Sequence, residues 1–220
     1  LLIASGRQSI PYARMIRRRS RARTFVAVLQ NPVVAPDRFD FVWSPAHDGL
    51  KGDNVLATLT SPHRLTAERL AREACALAAR IDALPRPRVA VLLGGANAVY
   101  RFSEQAAAEV ADKLAGLCDR FGAGLMVTPS RRTGEAQMRI IADRLKDKAA
   151  WIWDGRGDNP YFGFLGSADA IVVTCDSVNM VGEAAFTGKP VHVVELVGGS
   201  AKFRRFLDGM YAYGAARRFD

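Results

Sequence analysis

Residues 174–196, TCDSVNMVGEAAFTGKPVHVVEL, bring an acid, a hydroxyl and a second acid onto one strand-to-helix turn. The apolar run at 170–174 reads as a strand leading into Asp176 and Ser177, and the amphipathic stretch behind them carries Met180 and Glu183. The seven-residue step from Asp176 to Glu183 is nearly two helical turns, so both fall on roughly one side of a helix, with Met180 on the turn between. Two readings suit that spacing. In one, Asp176 or Ser177 is an N-cap and Glu183 an ordinary surface acid. In the other, the helix N-terminus faces a diphosphate while the Glu183 carboxylate accepts two hydrogen bonds from a ribose diol.

Three more polar turns follow apolar strands. Gly94, Gly95 and Asn97 follow VAVLL; Ser130, Arg131 and Arg132 follow the strand at 124–128; and DGRGDN, 154–159, follows Ile152-Trp153. In an open parallel sheet the loops that leave the carboxyl ends of strands share one edge, where ligands bind. Bare glycine backbone, hydroxyls, guanidinium groups and a helix N-terminus are the groups that hold a diphosphate. Each also has a plainer reading: a glycine turn, a solvated arginine pair, a helix cap. Neither G-x-G-x-x-G nor G-x-x-x-x-G-K-[ST] occurs, which disfavours the dinucleotide and P-loop cofactor classes. No tightly bound cofactor is expected.

Cys75, Cys118 and Cys175 are odd in number and widely spaced, which points to free thiols in a reducing compartment and to no metal site. His192 sits inside an apolar strand and reads as a sheet residue, and His63 in SPHRLT as a turn residue. His47 lies in the polar stretch SPAHDGLKGDN. Paired with Asp48 in a loop it is a candidate general base, with plain loop solvation as the alternative.

The elements that must carry these residues alternate. Strands are expected at 1–5, 24–29, 41–43 and 55–58, with a helix at 9–19 and another at 65–83. LPRPR, 84–88, holds two prolines and reads as the boundary between two domains, 1–83 and 89–220. Beyond it strands at 89–95, 124–128, 150–153, 170–174 and 191–195 alternate with helices at 103–121, 134–146, 160–165, 177–187 and 201–211. Near-continuous apolar strands between amphipathic helices imply an α/β fold with parallel sheets covered on both faces. The chain starts at Leu1 within a strand pattern, so a preceding segment is expected and the first lobe is expected to be incomplete.

Net charge is +9, and the excess is local: seven arginines and no acid occupy residues 1–36. Such a stretch attracts phosphates or an anionic membrane surface, or else is a solvated helix face. No zinc spacing or RNA-binding signature accompanies it, so no specific nucleic acid is expected. No apolar run approaches the ~18 residues of a membrane span, and a cytoplasmic protein with peripheral membrane contact is expected.

The motifs GGANAVYRFSE, TPSRRTGE, DGRGDNPYFGFLGSAD and TCDSVNMVGEAAFTGKPVHVVEL, with HDGL and HRLT upstream, resemble those of a family of mitochondrial fission proteins of the elongated-mitochondria type. Its bacterial members carry the label predicted nucleoside-diphosphate-sugar epimerase. That family in turn resembles GT-B glycosyltransferases, in which two Rossmann-like lobes enclose a nucleotide-sugar held mainly by the C-terminal lobe. The resemblance implies a metal-independent, glycosyltransferase-like enzyme, with Gly94, Gly95, Ser130, Arg131, Asp176, Ser177 and Glu183 at the donor and Trp153 near the nucleobase. A scaffold of the same fold that recruits partners at a membrane surface is the alternative.

Overall fold

The computed structural model describes residues 1–220, which divide into two compact units, Leu1–Ser61 and Pro62–Asp220. The first unit is a four-stranded parallel sheet built from β1 (Leu2–Ser5), β2 (Val26–Leu29), β3 (Phe41–Pro45) and β4 (Val55–Thr58), in that order. Helix α1 (Ile10–Arg19) makes the crossover from β1 to β2, with Pro11 in its first turn, where a missing N–H costs nothing. Its buried residues Ile10 and Ala13 join Ala4, Val26, Val28, Phe39 and Val42 in one apolar core. Asp40 ties the helix to the sheet: its carboxylate accepts from the Arg17 guanidinium at 2.9 Å and from the Val26 amide at 2.8 Å. The Arg17 hydrogen bond holds the Asp40 carboxyl below the usual carboxylate range.

The second unit opens with α2 (Ala67–Ala76) and α3 (Ala78–Ile81), which the sequence pattern reads as one helix and which break at Leu77. There follow β5 (Arg88–Leu93), β6 (Tyr100–Arg101), α4 (Glu104–Phe121), β7 (Gly124–Pro129), α5 (Glu135–Leu145), β8 (Ala150–Ile152) and α6 (Tyr161–Ser167). The chain ends with β9 (Ala170–Thr174), α7 (Val178–Phe186), β10 (Val191–Val194), β11 (Val197–Gly198), α8 (Ala201–Tyr213) and β12 (Arg217–Arg218). Six strands form a parallel sheet in the order β12-β10-β9-β5-β7-β8, and every residue of β5 is buried, as a central strand covered on both faces requires. β6 and β11 pair separately as a short antiparallel ribbon.

The division between units therefore falls at Ser61–Pro62 and not at residues 84–88. The physical reason is packing. Gly163 and Gly166 bring α6 so close to α2 that a Cβ at Gly163 would overlap Leu77, and one at Gly166 the Leu70 carbonyl. Arg69 stacks on the Phe162 ring at 4.0 Å and Arg80 on Trp151 at 3.9 Å. The 84–88 segment is bound into the same unit, because Arg88 pairs with Asp82 at 2.8 Å and the Pro87 carbonyl accepts from Gly124. Its prolines stop a helix without separating domains.

Candidate functional site

From β5 the chain of the second unit runs outward to β7 and β8, then returns to β9 on the other side of β5. The topological switch point thus lies between β5 and β9, the place where open α/β sheets bind ligands. Gly94 and Gly95 leave β5 there, Asp176 and Ser177 leave β9, and Ser130–Thr133 leave β7 on the same edge.

Asp176 is the hub. Its side chain has no exposure to solvent. One oxygen accepts from the Thr174 hydroxyl at 2.6 Å and the other from the Arg132 guanidinium at 2.7 Å. Thr174 in turn accepts from the Gly94 amide at 2.7 Å, so β5 and β9 are joined through one hydroxyl. Both Asp176 oxygens are thus engaged within the protein, and the carboxylate orients Arg132, whose side chain remains 43% exposed. The two glycines are likewise used by the protein itself. A Cβ at Gly94 would overlap the Asp176 carboxylate, and one at Gly95 would overlap the Arg132 carbonyl. Their missing side chains admit the neighbouring loops, where the sequence suggested close approach of a phosphate.

The 130–133 turn is rigid. The Ser130 hydroxyl donates to the Gly94 carbonyl at 2.9 Å and accepts from the Arg132 amide at 3.1 Å. Buried Thr133 accepts from the Ser130 amide at 2.9 Å and donates to the Gly94 carbonyl at 2.5 Å. Asn97 folds its own turn, accepting from Val99 and Tyr100 amides at 2.9 Å and donating to the Asp176 carbonyl at 3.2 Å. Ser130 and Asn97 are thus structural members of the cluster. Arg131 is exposed and makes no side-chain hydrogen bond.

Ser177 is the N-cap of α7 and accepts from the Met180 amide at 3.4 Å, as its position predicts. The Val178 and Asn179 amides have no intrahelical acceptor, so the helix offers donors and the positive end of its dipole beside Arg132. Met180 is half-buried one turn along. Glu183, half-buried on the next turn, differs from expectation. Its Oε2 accepts from the Tyr161 hydroxyl at 2.6 Å, so a neighbouring phenol shares the carboxylate that the spacing assigned to a ribose diol alone. Burial, then the hydrogen bond and charge of Glu183, push the Tyr161 phenol well above its ordinary range, so it stays a donor.

Trp153 lies apart from this network, beyond β8, where its indole donates to the Arg156 carbonyl at 2.9 Å. His47 belongs to the first unit. It sits in the 3-10 turn Ala46–Asp48 with its side chain only 4% exposed and Nε2 3.9 Å from the Asp48 carboxylate, so the expected open loop histidine is a buried one. A general base must reach the proton it takes, and burial argues against that role here. His63 packs edge-on against Phe186 at 4.6 Å. All three cysteines are free, with Cys175 buried and accepting from the Leu196 amide. No group of three His, Cys, Asp or Glu side chains is placed to share a metal ion, and no helix is long and apolar enough to cross a membrane.

Sequence reasoning missed Thr174, Thr133 and Tyr161. The first two carry a weak signal, a threonine beside each polar turn. Tyr161 carries none, because its partner lies 22 residues away on another helix.

The profile of the Mitochondrial fission ELM1 family matches residues 1–220. A mitochondrial fission protein ELM1 from Arabidopsis thaliana is 31% identical over 243 residues, covering 100% of this chain and 57% of its own length. An uncharacterized protein, RP120, from Rickettsia prowazekii is 29% identical over 136 residues, covering 60% of this chain and 38% of its own length. The chain thus spans less than two thirds of either relative. Among solved structures, a UDP-GlcNAc 2-epimerase from Methanocaldococcus jannaschii superposes with a TM-score of 0.57 at 11% identity, over 94% of this chain and 68% of that one. One from Neisseria meningitidis, bound to UDP-GlcNAc, gives 0.55 at 12% identity over 96% and 67%. At these identities the likeness is one of fold: α/β, with the parallel sheets of the GT-B type.

Proposed function

We propose that this chain, which belongs to the Mitochondrial fission ELM1 family, binds a nucleoside-diphosphate-sugar through its second unit and acts as a glycosyltransferase-like enzyme. The observation that carries this reading is Arg132, fixed by a fully buried Asp176 beside the N-terminus of α7 at the switch point of the sheet. Burying a carboxylate only to orient a half-exposed guanidinium makes sense if that guanidinium meets an anion. Arg131 and the free amides of Val178 and Asn179 complete a diphosphate cradle, and Glu183 waits further along the helix for the ribose. Fold neighbours named for UDP-GlcNAc, one of them bound to it, fit a ligand of this class.

In group transfer from such a donor the sugar–phosphate bond breaks and negative charge builds on the departing diphosphate. Guanidinium groups and helix amides already aimed at that charge lower its energy without reorganising. The residues that do this here are Arg131, Arg132 and the α7 N-terminus. Trp153 remains the candidate at the nucleobase. The direct test is titration calorimetry with UDP, ADP, GDP and CDP. Binding of at least one of them supports the reading, and binding of none overturns it.

A second reading, a scaffold acting at an anionic membrane surface, has its own observation in the first unit. Arg14, Arg17, Arg18, Arg19 and Arg38 line a concavity of about 840 Å³ that no acidic residue lines. Only Arg17 among them is paired, and α1 exposes Tyr12, Met15 and Ile16 along one side. Apolar anchors flanked by arginines suit the interface of an anionic bilayer. On this reading the protein works in the cytoplasm at a membrane. Cosedimentation with vesicles of phosphatidylcholine and phosphatidylserine should be lost on raising the salt or in Arg18→Glu/Arg19→Glu. Equal sedimentation with pure phosphatidylcholine would contradict it.

A further inference from the structure

Arg14, Arg17, Arg18 and Arg19 come from α1 and Arg38 from the turn Pro36–Arg38, and all five line the one concavity of the first unit described above. Two acids lie close by. Asp40 gives its carboxylate to Arg17 and to the Val26 amide, which neutralises one guanidinium. Asp37 acts on Arg17 as well, and it lines no part of the concavity. Arg14, half-buried, and the exposed Arg18, Arg19 and Arg38 are left without a counter-charge. Positions three and four apart are neighbours on a helix, so Arg14 adjoins both Arg17 and Arg18, and like charges so placed destabilise it. The chain also bends hard where it leaves α1. Arg21 and Ala22 take φ values of +49° and +59°, a left-handed pair without glycine, and their amides donate back to the Arg18 and Arg17 carbonyls at 3.2 and 3.0 Å. That turn sets Ala22 in the wall of the concavity. A hollow lined by one sign of charge focuses the potential and concentrates the opposite ion, which a solvated convex face does not.

We propose that this concavity binds a compact group carrying two or more phosphates. Guanidinium pairs with phosphate bidentately, and a terminal phosphate carries a charge of about −1.5 to −2 at neutral pH. Two such groups balance the four uncompensated arginines, whereas a single phosphodiester with one charge does not. The volume lies within the range of small-molecule sites, about 300–1,000 Å³. The recognising chemistry is the same for a lipid headgroup and for a soluble polyphosphate. The inference needs neither reading given above: the membrane reading asks only for diffuse charge and the apolar side of α1, whereas here affinity follows the number of phosphates in one molecule.

The test is titration calorimetry at about 0.15 M salt with orthophosphate, pyrophosphate and tripolyphosphate, on wild type and on Arg14→Gln, Arg38→Gln, Arg7→Gln and Arg132→Gln. Tripolyphosphate should bind wild type at least about tenfold more tightly than orthophosphate. Arg14→Gln and Arg38→Gln, on separate elements, should each weaken it by about tenfold, the loss of one charge-assisted contact. Arg7 is exposed and lies outside the concavity, so Arg7→Gln removes the same net charge and should change binding less than about twofold. Equal losses in Arg7→Gln and Arg14→Gln would reduce the effect to diffuse charge and overturn the proposal. A loss confined to Arg132→Gln would move the anion to the second unit and overturn it too. Sedimentation with phosphatidylcholine vesicles, carrying either a phosphatidylinositol bisphosphate or phosphatidylserine at matched total charge, separates the two sources. Tighter binding to the bisphosphate vesicles, displaced by tripolyphosphate, supports the proposal with a lipid headgroup as ligand. Tripolyphosphate binding that depends on Arg14 and Arg38, with no preference between the vesicles, supports it with a soluble one. Sedimentation with phosphatidylserine and no gain of tripolyphosphate over orthophosphate would leave the membrane reading standing and overturn this one.

Discussion

At the scale of single residues, the chemistry of the site depends on which groups the protein consumes internally. Asp176, Ser130, Asn97 and the glycine pair are polar or bare as a ligand site would be, yet their hydrogen bonds and free space are taken up by neighbouring loops. The groups with capacity left over are Arg131, Arg132, the first amides of α7 and the Glu183 carboxylate. Gly94→Ala tests this division. A methyl there overlaps a buried carboxylate, and overpacking of this kind costs about 1–3 kcal/mol. The melting temperature of the unliganded protein should fall by at least about 2 °C. An unchanged melting temperature with weakened nucleotide binding would return Gly94 to the ligand. The types and spacings of these residues were legible in the sequence. Their allegiances were not, because whether Asp176 turns to solvent or to Arg132 is decided by a contact across 44 residues.

At the scale of elements, alternation of apolar strands with amphipathic helices was legible throughout, since burial on both faces writes itself into near-continuous runs such as Val89–Leu93. What escaped were the two-residue strands β6, β11 and β12, too short to show any period, and the allegiance of α2. That helix precedes a proline-rich stretch, and proline is a local signal, whereas the contact of α2 with α6 is a long-range one. Two glycine substitutions separate local from long-range effects. Gly116 lies within α4 with nothing near its missing Cβ, so Gly116→Ala should stabilise by about 0.5–1 kcal/mol. Gly166→Ala has the same local helix preference but drives a methyl into the Leu70 carbonyl, and should destabilise by about 1–3 kcal/mol. Denaturant midpoints read both. Stabilisation by both substitutions would mean that α2 does not pack on α6 as described.

At the scale of the whole molecule, two parallel sheets carry different surfaces. The first unit presents a cluster of arginines beside α1, of which only Arg17 is paired, and the second gathers its polar loops at one edge of the sheet. On the proposed function that edge binds a nucleotide, with α7 toward the diphosphate and Glu183 toward the ribose. The most direct measurement is calorimetric titration of wild type and Glu183→Ala with the nucleoside diphosphate that wild type binds, and with its 2′,3′-dideoxy form. Glu183→Ala should weaken binding of the ribonucleotide by at least about tenfold, since one hydrogen bond to a charged group is worth ~1.5–3 kcal/mol. The same substitution should leave binding of the dideoxy form nearly unchanged. Equal losses for the two ligands would contradict the account and assign Glu183 to holding α6 and α7 together.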